Sequence, residues 1–228
     1  MAGTQPMRRR SILALMAAAA ATPGSALAGS VLPIDKVFPY LAAYLGLPSA
    51  DRSHFYLAYR AYRDKHPVSD VKATIVGANG ARTPIGFDRQ GMVVSRLPDL
   101  AELKSGAQVT MESAPFQLGP ELRCALPPST RIEVVELNLA LAQVNKDVGK
   151  FAGALAIVLP KFTAAYFPDA GGAQAVMTDG QAQPLPTVTV PQLGAVAYIE
   201  PAAMTAARSV VFARPPSRVV LSFHPKRA

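Results

Sequence analysis

Two dipeptides a hundred positions apart constrain what this chain can fold into. Asn79-Gly80 and Asp179-Gly180 each supply the positive φ that a tight hairpin turn demands, so each marks a point where one strand reverses into the next. Their surroundings match as well. Gly77-Ala78-Asn79-Gly80-Ala81-Arg82-Thr83-Pro84-Ile85 leads to Gly91-Met92-Val93-Val94 and then Pro98. Met177-Thr178-Asp179-Gly180-Gln181-Ala182-Gln183-Pro184-Leu185 leads to Gly194-Ala195-Val196-Ala197 and then Pro201. The step from Gly80 to Pro84 equals that from Gly180 to Pro184, and the step from Gly91 to Pro98 equals that from Gly194 to Pro201. The recurrence predicts a tandem repeat of two similar β-rich, sandwich-like units.

Residues 1–28 read as a cleaved signal peptide. Arg8-Arg9-Arg10 is a basic start, Ile12 to Ala21 an apolar run, and Ala26-Leu27-Ala28 a small-x-small cleavage site. The apolar run is broken by Thr22-Pro23-Gly24 before it reaches the roughly 20 residues of a spanning helix. Arg9-Arg10-Ser11-Ile12-Leu13 also fits a loose twin-arginine signal, so the export route reads as general secretion or twin-arginine. Either predicts a periplasmic or secreted protein with no transmembrane segment in the mature chain. The formal charge of +8 falls to +5 once the three leader arginines are gone, since the leader holds no acids. That mild excess suits contact with anionic envelope polymers. Cys124 is the single cysteine, which excludes an intrachain disulfide and reads as a buried thiol.

In the mature chain, apolar positions 34, 37, 38, 41 and 45 keep a helical stripe that Pro39 interrupts. His54 to Tyr62 is rich in aromatics and predicts a strand. In it Phe55, Leu57, Tyr59 and Ala61 share one face, and Tyr56, Ala58, Arg60 and Tyr62 the other. Strands are expected at 71–76, 82–87, 92–95 and 107–112, with one helical turn at 98–104. Pro84 marks an edge or a bulge. The Pro- and Gly-rich stretch 115–130 reads as a linker. Residues 131–150 fit a helix through positions 134, 137, 141, 144 and 148, although 137, 139 and 141 also alternate as in a strand. Phe151 to Leu159 reads as a buried strand, followed by strands at 162–167, 173–177, 186–190, 194–199, 209–213 and 218–223. The expected fold is α+β, mainly β: a first unit at 29–114 and a second at 131–228, each preceded by a short helix.

No catalytic signature emerges. His54, His66 and His224 stand outside metal-ligand spacing of one another and of Cys124, Gly-x-Ser-x-Gly does not occur, and no glycine run continues into a phosphate loop. No catalytic residue, metal or cofactor is therefore predicted. The most suggestive group is Tyr56, Tyr59, Arg60, Tyr62 and Arg63, where aromatics interleave with cations as in surfaces that bind sugars or neutralise polyanions. A core sheet with Arg snorkelling at its rim explains the same pattern. The sequence thus points to a non-enzymatic periplasmic binding or interaction protein of the cell envelope. Its expected partner is an envelope protein or glycan, and nucleic acid is excluded for an exported chain. The alternative is a hydrolase acting on an envelope component at the seam between the units, with His54 or His66 beside a carboxylate. A third reading is a structural partner in an envelope assembly, using an edge strand near Arg82 to Phe87. N-terminal sequencing of the exported protein should begin at Gly29, and a retained leader would contradict this reading.

Overall fold

The computed structural model describes residues 29–152 and 160–223. Its longest strand, β2 (Phe55–Arg63), draws on a run of aromatic and small apolar side chains that fits a pleated surface. It pairs antiparallel with β7 (Gln117–Cys124) over eight positions, from Phe55↔Cys124 to Tyr62↔Gln117. Asp64 and Lys65, both at positive φ, turn β2 back into the short β3 (His66–Pro67). On the other side of β7 lies β15 (Val220–Ser222), then β9 (Ala164–Phe167), β13 (Gly194–Ile199) and β12 (Thr187–Val190). These strands form one curled seven-stranded sheet in the order β12-β13-β9-β15-β7-β2-β3. Both halves of the chain contribute to it, and they meet at β7 and β15.

Two four-stranded sheets complete the β structure. The first combines β1 (Val31–Pro33), β4 (Ala73–Val76), β5 (Arg82–Pro84) and β6 (Gln108–Met111) in the order β1-β6-β4-β5. The second combines β8 (Arg131–Glu133), β10 (Gln174–Met177), β11 (Ala182–Pro184) and β14 (Ala207–Val211) in the order β8-β14-β10-β11. The β4–β5 turn carries Gly80 at φ +80° and the β10–β11 turn carries Gly180 at φ +84°, a backbone that side chains rarely adopt. In each turn the preceding side chain accepts from the backbone two residues on: Ala81 N–H donates to Asn79 Oδ1 at 3.0 Å and Gln181 N–H to Asp179 Oδ1 at 2.9 Å. Pro84 and Pro184 both end edge strands, where a missing donor breaks no ladder.

The helices close the core between the sheets. α1 (Ile34–Val37) and α2 (Leu41–Leu45) are the two pieces of the expected kinked helix, separated at Phe38-Pro39-Tyr40 with Tyr40 at φ 68°. α3 (Leu100–Lys104) opens on a capping box, Asp99 accepting from Glu102 N–H and Glu102 from Asp99 N–H. α4 (Val134–Ala152) buries Val134, Leu137, Leu141 and Val144 and exposes Leu139, so the 3.6-residue period wins over the competing alternation. One apolar core runs through both halves, with Tyr44 of α2, Phe55 of β2 and Phe151 of α4 in mutual ring contact. A smaller cluster of Ala164, Tyr166, Val196 and Val220 lies apart from it.

Four local expectations change. The helix expected at 131–150 gives its first three residues to the strand β8 and runs on as α4 for 19 residues, longer than the short helix expected before the second unit. The stretch read as a Pro/Gly-rich linker, 115–130, contains β7, which lies inside the seven-stranded sheet rather than between units. Its breakers have local reasons. β15 joins β7 only at Val220↔Arg123, so no second strand borders Pro120, and Gly119 leaves room for the Tyr62 ring across the ladder. Residues 92–95 make only isolated bridges, Arg60↔Met92 and Phe87↔Val93, instead of a strand. Phe151, expected to start a strand, belongs to the last turn of α4, and 153–159 lie outside the described residues, as does the leader. No described helix is long and apolar enough to cross a membrane. A Cβ at position 119 would stand 2.6 Å from the Tyr62 ring. Gly119→Ala is therefore expected to destabilise the fold by about 1–3 kcal/mol through overpacking, read by urea unfolding. An unchanged midpoint would show that the ring moves aside freely.

Candidate functional site

The β2–β7 register decides which polar side chains meet. Directly opposed residues share a face, so Tyr56 lies beside Arg123, Ala58 beside Glu121, Arg60 beside Gly119 and Tyr62 beside Gln117. The odd positions of β2 face the main core. The even positions, which include a cation, face the other side with Glu121 and Arg123. β15 then brings Arg218 to the same carboxylate from the second half of the chain.

Glu121 is the hub. Its Oε1 accepts from Arg123 Nε at 2.6 Å and from Arg218 Nε at 3.1 Å, and its Oε2 lies 3.9 Å from Arg60 Nη2. The four side chains are almost out of water: 10% exposed for Glu121, 4% for Arg60, 13% for Arg123 and 7% for Arg218. Three guanidiniums therefore share one carboxylate in a poorly hydrated place. Asp169 adds a second acid at the margin, 3.9 Å from Arg218 Nη1. Loss of hydration lowers the Arg218 guanidinium from its ordinary value; Glu121 opposes that drop, and the charges of Arg60 and Arg123 add to it. Desolvation likewise raises the Tyr62 hydroxyl.

The remaining donors find uneven partners. Arg60 Nη1 donates to the Gln192 carbonyl, and Arg218 Nη1 to Gln90 Oε1 at 3.3 Å and Ser217 Oγ at 3.1 Å. Arg60 Nε and Arg123 Nη2 both point at the Met92 sulfur, at 3.0 and 3.2 Å. A thioether is a weak acceptor for a charged donor. The 90–92 segment and the β12–β13 turn thus flank a cluster whose excess positive charge fits an oxyanion, by charge and by the planar donor forks of arginine. No family model, curated protein or solved structure matches the chain.

The structure divides the five residues picked from the sequence. Arg60 and Tyr62 belong to this cluster, and Tyr56, 40% exposed, stands on the same side of β2. Tyr59 is fully buried in the core and donates from its hydroxyl to the Pro39 carbonyl at 2.7 Å. Arg63 ties the strand end to the Pro115 carbonyl at 3.2 Å and to Asp70. Sequence reasoning missed Glu121, Arg123, Arg218 and Met92. Glu121 and Arg123 carried a usable signal, two charges at strand spacing, which the flanking Gly119-Pro120 obscured. Elsewhere, His54 Nδ1 comes within 4.0 Å of Glu136 Oε2. Cys124 is buried, and desolvation, with the Glu136 charge beside it, pushes its thiol up to about 12, so it is a neutral core thiol at pH 7. Glu121→Gln removes the carboxylate and leaves three buried guanidiniums without it. The expected loss is about 3–5 kcal/mol in urea unfolding, whereas a loss below 1 kcal/mol would mean that water or ions already neutralise the cluster.

Proposed function

We propose that this chain is an exported, non-enzymatic binding protein of the cell envelope, and that it holds an anionic group of its ligand at Arg60, Arg123 and Arg218 around Glu121. The observation that carries this is the charge imbalance: three nearly dehydrated guanidiniums on one carboxylate, with two charged donors directed at a thioether. Burying charge without a counterpart is costly, and a bound anion offsets that cost. The leader-like residues 1–28 support export. The matching strand orders β1-β6-β4-β5 and β8-β14-β10-β11, each with its hairpin glycine, support the duplication of an α+β unit. On that view the site lies at the seam, since Arg60, Glu121 and Arg123 come from one half and Arg218 from the other. The hydrolase reading has one observation in its favour, the approach of His54 to Glu136.

Thermal unfolding in acetate, sulfate and phosphate, against sodium chloride of equal ionic strength, tests the binding reading. Ligand at a hundred times its Kd adds about 2.7 kcal/mol of stability, a readable rise in Tm. Arg123→Ala should abolish the rise and Arg63→Ala should keep it. If no oxyanion raises Tm beyond chloride, or if Arg63→Ala loses the effect equally, the reading fails.

A further inference from the structure

We infer that the anion is hydrogen phosphate, bound with its own O–H donated to Glu121 and with its other oxygens taking the place of the Met92 sulfur on Arg60 and Arg123. This rests on the anion-binding reading above and narrows it to one chemistry.

Three features of the cluster select that ion. The first is charge. Three guanidiniums surround Glu121, and of these three it is Arg218 that a second acid, Asp169, approaches among the described residues, so the cluster retains one to two positive charges and suits a dianion better than a carboxylate. The second is the carboxylate itself. Glu121 Oε1 already accepts from Arg123 and Arg218, whereas no hydrogen bond among the described residues reaches Oε2, which lies 3.9 Å from Arg60 Nη2. Each carboxylate oxygen offers about two acceptor sites, so Oε2 keeps capacity for an incoming donor. Sulfate has no proton to give and would set lone pairs against that oxygen. Hydrogen phosphate is also a dianion near neutral pH, and it carries one O–H.

The third is Met92. Its sulfur occupies the space in front of Arg60 Nε and Arg123 Nη2 at hydrogen-bond distance. A phosphate oxygen is a far stronger partner for both, because a charge-assisted N–H···O bond is roughly twice as strong as a neutral one. Methionine is unbranched and repacks readily, so it can yield to a ligand. The enclosure also limits size. With side chains only 4–13% exposed, the cluster offers no open face to a flat lipid surface. A phosphomonoester dianion has lost the O–H that Glu121 would accept, which separates free phosphate from an ester source.

Isothermal titration of the exported protein at pH 7.5 and constant ionic strength, with inorganic phosphate, sulfate, acetate and glycerol 3-phosphate, tests the assignment. Phosphate should bind at least about tenfold tighter than sulfate and than glycerol 3-phosphate, the cost of one unmatched buried donor–acceptor pair. Glu121→Gln should abolish or invert the phosphate-over-sulfate preference, because an amide can donate to sulfate. Met92→Ala removes the competing sulfur, opens the space in front of both guanidiniums and should tighten phosphate binding several-fold. Phosphate should also shift the Met92 methyl signal in a spectrum of ¹³C-methyl-methionine protein. Sulfate or glycerol 3-phosphate binding as tightly as phosphate in the unaltered protein, or a Met92 methyl that phosphate leaves in place, overturns the assignment while anion binding stands. Binding of none of the four ions removes both.

Discussion

The register of one ladder governs the rest of this molecule. β2 and β7 pair over eight positions, and every side chain they carry is assigned a face by that alignment. One face places Phe55, Leu57, Tyr59 and Ala61 in the main core with Leu118 and Leu122. The other gathers Arg60, Glu121 and Arg123. Because strand side chains alternate, a slip of β2 by one residue would drive Arg60 into the apolar core and lift Tyr59 out of it. The hydrophobic half of the ladder therefore fixes the geometry of the charged half, and it does so without help from the charges.

That separation explains how the chain tolerates its polar cluster. A desolvated ion pair contributes little net stability, and three cations on one anion contribute less. The surrounding apolar contacts supply the stability instead: α2, β2 and α4 meet through Tyr44, Phe55 and Phe151, and Tyr59 packs edge-to-face on Phe38 at 5.3 Å. Polar ties hold the helix in place. Gln143 of α4 accepts from His54 N–H at 2.8 Å and donates to the Ala50 carbonyl at 2.7 Å, which anchors the start of β2. With β2 held at one end by the helix and along its length by β7, Arg60 has little freedom to leave the cluster. Such rigid elements would lower the entropy lost if the proposed anion bound there.

Much of the architecture was legible in the residues. The Asn79-Gly80 and Asp179-Gly180 reversals, the two faces of 55–62, the broken helix around Pro39 and the helical period of 134–144 all follow from local rules that the structure obeys. β7 was illegible because Gly119 and Pro120 are breakers in most strands. Here Gly119 makes space for a ring on the neighbouring strand, and Pro120 sits where no second strand needs its donor. Both reasons are cross-strand facts, so no window of local sequence contains them. The candidate site was half legible for the same reason. Arg60 and Tyr62 stood out within one aromatic–basic run, but Tyr59 and Arg63 in that run do other work, and the partners of Arg60 lie far along the chain.

The sequence by itself determined where the two hairpins turn, that 55–62 is a strand and 134–144 a helix, and which of their positions are apolar, because those depend on backbone preferences and on periods of two and 3.6 residues. Only the tertiary structure decided that Arg218 meets Glu121 across 97 positions, that Met92 lies between two guanidiniums, and that β7 joins the strands of both halves into one sheet. Charge is a property of the residue, but its hydration and its neighbours belong to the fold. Three arginines scattered along a mildly basic chain are unremarkable as letters, and they become a site when burial removes their water and leaves them one carboxylate to share.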